Sequence, residues 1–125
     1  MKENDISYAI RGAAFKIYNE LGPGLLESVY EVALAYELEE MGYSVKCQQG
    51  IPMRYKHINF DVGFRLDIIV DDTVVIEIKS VESLADVHYK QLLTYLKLTD
   101  KKLGILINFN TSDLSDSMKR VVNKL

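Results

Sequence analysis

Asp67, Glu77 and Lys79 are the residues of this chain whose types and spacing best fit chemistry. They lie in two β-rich runs, Phe64 to Val70 and Thr73 to Lys79, which meet at the acidic pair Asp71-Asp72. Charges inside Val/Ile-rich strands are costly unless paired, hydrated or bound to a metal. Side chains alternate across a strand, so Glu77 and Lys79 share a face about 6–7 Å apart. A carboxylate pair beside an ammonium group can hold a divalent cation and the phosphate that it polarises.

The turn decides whether the two acids meet. With Asp71-Asp72 as a two-residue loop, Asp67 pairs with Ile76 and Glu77 falls on the opposite face. With Asp71-Asp72-Thr73 as a three-residue loop, Asp67 faces Glu77 and Arg65 faces Lys79. Such loops need one left-handed residue, which Asp tolerates better than Val or Thr. This second register sets like charges opposite one another, normally a destabilising arrangement. A cation between the acids removes the conflict; the alternative is an ionic cluster in which Lys79 bridges diagonally to Asp67.

The elements that must position these groups follow from periodicity. Ile6, Ile10, Ala13, Ala14, Ile17, Tyr18 and Leu21 mark an amphipathic helix with Asp5 as its expected N-cap, ended by Gly22-Pro23-Gly24. A second helix, from about Leu25 to Met41, is apolar round most of its circumference and is expected to be largely buried. Its polar arc is Ser28, Glu31 and Glu39; Glu27, in the first turn between the Leu34 and Leu38 directions, points toward protein. Ser44 to Lys56 reads as extended, with Gly50 and Pro52 predicting a bulge or an edge, and Cys47 reads as a half-buried strand residue. Strands from Asn59 to Val70 and Thr73 to Lys79 follow, then a helix from Ser83 to Leu98 with Ser83 and Asp86 resembling a capping box. Leu103 to Phe109 reads as a buried strand and Asp113 to Leu125 as a closing helix. The order α-α-β-β-β-α-β-α predicts an α/β (α+β) fold with a mixed four-stranded sheet flanked by helices.

At 125 residues the chain is expected to form one domain, 1–125, and its 48% hydrophobic and 26% charged residues are ordinary for a globular protein. No run is long enough to span a membrane, the N-terminus does not resemble a signal peptide, and a single cysteine allows no internal disulfide. A cytoplasmic protein is expected. The net charge of −3 offers no global basic footprint for nucleic acid, although bound cations and local lysines can supply positive charge.

Two further segments frame the hairpin. Gly24-Leu25-Leu26-Glu27-Ser28-Val29-Tyr30 reads Gly-x-x-Glu-x-x-Tyr, and Leu84, His88, Gln91 and Tyr95 share one face of the helix after Lys79. With Gly104-Ile105-Leu106-Ile107-Asn108-Phe109 as the last strand of the set, the chain resembles the GxxExxY family, a branch of the PD-(D/E)XK nuclease-like superfamily, from about Ile10 to Val122. The resemblance implies a divalent-metal-dependent nuclease, using Mg2+ or Mn2+, that hydrolyses phosphodiester bonds in nucleic acid, DNA in the first instance. Asp67 and Glu77 match the paired metal-binding acids, Lys79 the lysine that orients water or stabilises phosphorane charge, Glu27 a supplementary metal ligand, and Gln91 a glutamine that positions water or substrate. Tyr30, His88 and Tyr95 match motif positions without a chemical role; the tyrosines read as core aromatics with hydrogen-bonded hydroxyls. Nuclease relatives also suggest a homodimer. The rival readings are a non-catalytic binding domain on the same scaffold and a buried ionic network that only organises the fold.

Overall fold

The computed structural model describes residues 2–125. Helices α1 (Lys2–Leu21) and α2 (Glu27–Glu40) precede three strands, β1 (Val45–Tyr55), β2 (Ile58–Val70) and β3 (Val74–Lys79). Helix α3 (Asp86–Thr99) crosses to β4 (Leu103–Asn108), and a 3-10 turn (Leu114–Ser117) leads into β5 (Met118–Val122). The sheet has five strands in the order β1-β2-β3-β4-β5, parallel only between β3 and β4. That parallel pair needs a crossover, which α3 supplies.

The sheet is covered on both faces. Ile6, Ile10, Ala13 and Ile17 of α1 and Tyr30, Leu34 and Leu38 of α2 pack with Ile68, Val70, Val74, Ile76 and Ile78. On the other face Leu92 and Leu96 of α3 close over Leu66, Ile69, Val75 and Leu106. Gly104 lets α3 sit tightly on β4: a Cβ there would lie 2.9 Å from the Leu92 side chain. This contact sets the height of Gln91, the residue before Leu92.

The expected mixed sheet with flanking helices is present, but its strand count and final element differ. The closing helix expected from Asp113 to Leu125 is instead a 3-10 turn and β5, which pairs antiparallel with β4. All six residues of β4 are buried, so an open β4 edge would strand backbone groups away from water. Pairing by Met118–Val122 satisfies them, and this demand outweighs the segment's local helical pattern.

Three local expectations are also corrected. α1 starts by Lys2, which places Asp5 in its first turn rather than at the N-cap. α2 is buried along Tyr30, Leu34, Ala35 and Leu38, whereas Val29, Val32 and Tyr36 are exposed, because α1 and the sheet reach one side of it alone. Cys47 is exposed on β1, an edge strand. The Gly50/Pro52 expectation fits: Ile51 pairs with Phe64 and Met53 with Phe60, so Asp61, Val62 and Gly63 bulge opposite Pro52.

Candidate active site

The β2–β3 hairpin adopts the three-residue register. Val70 pairs with Val74, Ile69 with Val75 and Ile68 with Ile76, which brings Asp67 opposite Glu77. Asp71 and Asp72 both take left-handed φ values, +50° and +51°, where one such residue was expected. Asp71 is more than a turn residue: its Oδ1 accepts from the Ser44 N–H at 2.8 Å and its own N–H donates to the Ser44 carbonyl. The turn is thereby tied to the start of β1.

Beyond Ile68/Ile76 the two carboxylates replace the backbone ladder. The Asp67 N–H donates to Glu77 Oε2 at 2.9 Å, and the Ile78 N–H donates to Asp67 Oδ2 at 2.8 Å. Each acid therefore holds the other's strand and keeps its second oxygen clear of these backbone bonds. Glu77 is only 4% exposed. Burial, reinforced by the neighbouring Asp67 charge, pushes its carboxyl up to about 8. Burial likewise raises the Asp67 carboxyl, against the opposing pull of the Ile78 N–H and Lys79.

Lys79 follows on the Glu77 side of β3, and its Nζ donates to Gln91 Oε1 at 3.3 Å. Among the described residues the ion pairs are Lys16–Glu37 and Lys101–Asp72, so the diagonal Lys79–Asp67 bridge is not formed. Arg65 does not face Lys79 either: it pairs with Gly50 of β1 because the β2–β3 ladder ends before it. Lys79 is thus a half-buried cation held by an amide beside two acids that form no ion pair among the described residues.

Glu27 reaches the same place from α2. Gly22 and Gly24 turn the chain at φ +71° and +98°, a region that favours glycine. The buried Tyr30 locks this loop: its hydroxyl donates to the Gly22 carbonyl at 2.6 Å and accepts from the Leu25 N–H, while its ring stacks on Phe109. Glu27, one turn earlier, then accepts from the Ser80 N–H at 2.8 Å, just past the end of β3. It is exposed rather than turned into the core. The Gly-x-x-Glu-x-x-Tyr spacing is therefore a loop anchor that delivers a carboxylate.

A recess of about 280 Å3 joins Glu27, Ser28, Glu31, Gln48, Asp67 and Ile78. Glu31 and Gln48 were not singled out from sequence. The signal for Glu31 was its i,i+4 spacing from Glu27, which puts both on one helix face. Burial raises its carboxyl, with the Asp67 and Glu27 charges adding to the rise and the Gln48 bond opposing it. Gln48 Nε2 donates to Glu31 Oε1 at 2.6 Å and to Asp67 Oδ1 at 3.4 Å. No sequence pattern announces it, because it reaches the acids through a left-handed φ of +52° inside β1.

The remaining motif residues are structural neighbours. His88 Nδ1 accepts from the Ala85 N–H at 2.9 Å, capping α3 in place of the expected Ser83/Asp86 box. Tyr95 stacks on Phe64 with ring centroids 4.4 Å apart; burial, then the Glu77 and Asp67 charges, raise its hydroxyl. Among the described residues no three or more His, Cys, Asp or Glu side chains are preassembled as a metal cage. The arrangement is a pair of carboxylates with an amide-held lysine on one side and acidic rim residues on the other.

This hairpin, with α3 bridging the parallel strands, accords with the family comparison. A model of the PD-(D/E)XK nuclease superfamily matches residues 4–121. The chain belongs to this superfamily. The match covers every strand and helix that contributes to the site, and the narrower GxxExxY resemblance rests on the motifs alone. No curated protein and no solved structure matches the chain. PD-(D/E)XK nucleases generally use divalent metals, which bears on the donor set here. Among the described residues, no helix is long and apolar enough to cross a membrane.

Proposed function

We propose that this chain is a divalent-metal-dependent nuclease that hydrolyses phosphodiester bonds in nucleic acid, DNA in the first instance. The observation that carries the reading is the opening of the hairpin, where buried Glu77 and half-buried Asp67 each accept from a backbone N–H of the opposite strand and form no ion pair among the described residues. A carboxyl raised to about 8 beside a second acid is a site short of positive charge. Its oxygen donors suit Mg2+ or Mn2+, hard cations that keep several waters and take substrate oxygens.

Asp67 and Glu77 would hold the cation, with Glu27 as a supplementary ligand. When bound, the cation supplies charge neutralisation at the phosphate and lowers the pKa of water. Lys79 contributes a fixed positive charge to the developing phosphorane, and Gln91 orients Lys79 by accepting its hydrogen bond. Water is the nucleophile, since no serine or cysteine is paired with a base in this site. The reading extends to a cytoplasmic enzyme, and a homodimer would enlarge the contact that so small a domain offers to nucleic acid.

The ionic-network alternative is disfavoured by Lys79, which bonds to Gln91 and not to a carboxylate. The non-catalytic alternative draws on the donor set, which among the described residues is not preassembled as a metal cage. Incubation with single-stranded, duplex and branched DNA and with RNA, in magnesium or manganese, separates the two. Cleavage that disappears in Glu77→Ala and Lys79→Ala is expected. Intact substrates throughout, with no divalent-ion binding by calorimetry, would overturn the nuclease reading.

A further inference from the structure

The acidic chain carries one surface of the opposite character. A cleft of about 250 Å3 between α1 and β5 is lined by Asn4, Ser7, Tyr8 and Arg11 from the helix and by Lys119 and Arg120 from the strand, over a floor of Ile105 and Met118. No carboxylate lines it. Arg11, Lys119 and Arg120 are exposed, and none belongs to an ion pair among the described residues, although acids outnumber bases in the chain. Arg11 and Arg120 face the cleft and Lys119 borders it from the other side of the edge strand β5, so unpaired cations along it raise its positive potential and attract anions.

Two of the side chains are held in place. The Arg11 guanidinium lies over the Phe15 ring, 5.0 Å from its centroid, and Arg120 Nη2 donates to Asn4 Oδ1 at 2.9 Å. Between them Tyr8 is 82% exposed, the most exposed large hydrophobic residue among those described. An aromatic face beside a track of cations is the pattern that holds single-stranded nucleic acid, with phosphates on the bases and a nucleobase stacked on the ring.

The strand wall of the cleft, β5, lies two strands from β3 of the hairpin. β5 is antiparallel to β4, so Met118 lies opposite Ile107, one residue before the Asn108 that pairs with Lys79. Lys119 lines both the cleft and a second recess, formed with Glu82, Ser83, Tyr89 and Asn108, beside the loop that leaves Lys79. Glu82 and Asp116 in that recess repel phosphate, so the anion-holding positions are confined to the cleft.

We propose that the α1–β5 cleft binds a single-stranded segment of the nucleic-acid substrate, flanking the cleaved bond, through Arg11, Lys119, Arg120 and Tyr8. The inference rests on the nuclease reading and adds where the strand is held. It also explains how a chain of net charge −3 can engage a polyanion.

The test is fluorescence anisotropy of a labelled single-stranded oligonucleotide over about 50 to about 200 mM salt. Hydrolysis of bis(p-nitrophenyl) phosphate, too small to reach the cleft, is followed in parallel. In the triple variant Arg11→Gln, Lys119→Gln, Arg120→Gln, weaker binding is expected, with a salt slope shallower by about 2, from about 0.7 per phosphate contact. Tyr8→Ala weakens binding with the slope unchanged. Small-diester hydrolysis and the thermal midpoint stay at the parent level in both. A triple variant that binds with the parent's affinity and slope overturns the cleft while leaving the nuclease reading intact. Tighter binding of a duplex, equally sensitive to the triple variant, overturns the single-strand assignment. A parent that neither binds the oligonucleotide nor hydrolyses either substrate removes both proposals.

Discussion

The two ends of the β2–β3 hairpin are built from the same strands and do opposite things. At the closed end Val70, Val74 and Ile76 are fully buried, the ladder is complete, and the Asp71-Asp72-Thr73 turn is tied to Ser44. At the open end, one pair beyond Ile68/Ile76, the backbone ladder gives way to Asp67 and Glu77. The closed end gains stability from apolar burial. The open end holds buried Glu77 and half-buried Asp67 with no ion-pair partner among the described residues, a cost that a bound metal would relieve. The apolar end supplies the rigidity that keeps the acidic end in register.

That contrast is broken most strongly by exchanging one residue at each end. Glu77→Gln is expected to lower cleavage at least about a hundredfold while leaving the fold intact. Ile76→Ala, one residue away, is expected to cost about 2–5 kcal/mol of stability. Cleavage rates and denaturant midpoints for the two variants read the comparison directly. Loss of folding in Glu77→Gln would mean that the open end is structural too.

The next effect is pH dependence in the cation-free protein. The Glu77 carboxyl is raised from 4.5 to about 8 in the folded chain. Below its unfolded value both states hold the proton and the fold suffers no penalty. As pH rises toward 8 the unfolded chain ionises first, so it binds fewer protons and stability falls, levelling off above the folded value. Asp67 and Glu31, also raised, act with the same sign. The melting temperature should therefore drop between about pH 5 and about pH 8, and Glu77→Gln should flatten the drop. Magnesium at about a hundred times its dissociation constant should restore about 2.7 kcal/mol at the alkaline end. A cation-free protein equally stable across this range would contradict the charge-deficient site.

Lys79→Ala separates catalysis from architecture. Since the Lys79 side chain, among the described residues, bonds to the Gln91 amide and to no carboxylate, a stability change within about 1 kcal/mol is expected, with cleavage down about a hundredfold. An unfolded or severely destabilised variant would restore the ionic-network reading.

The smallest expected effect concerns Gln48, which crosses from β1 to the acidic rim through a left-handed residue. Glycine takes that backbone without strain, so relief of strain and the added chain entropy nearly cancel, and Gln48→Gly should leave stability within about 1 kcal/mol of the parent. Its manganese affinity by calorimetry should fall, because Glu31 and Asp67 lose the amide that orients them. Unchanged affinity would reduce Gln48 to a surface contact.

Much of the site could be read before any fold was known. The hairpin register follows from a three-residue turn and a period of two, so opposition of Asp67 and Glu77 is a local consequence of sequence. Lys79, two residues on, follows from the same strand period; Gln91 is marked by the family resemblance, and its meeting with Lys79 depends on α3 docking against β4. Glu27 is marked by the Gly-x-x-Glu-x-x-Tyr motif of the family it resembles, but it is exposed and not turned toward protein: the Gly22–Gly24 loop, locked by Tyr30, sets it at the rim.

Only tertiary structure decided the rest. Met118–Val122 becomes a strand because β4 has a buried edge to satisfy, a demand that lies outside the segment itself. Val29, Val32 and Tyr36 stay exposed because α1 and the sheet cover one side of α2, which no helical period reveals. Gln48 meets Glu31 and Asp67 only after three elements dock. Sequence by itself determines what neighbours within a turn or a strand pair must do, since those contacts carry their own geometry. Contacts between distant elements depend on which surfaces the whole chain leaves to be covered, and the rim of this site is made of such contacts.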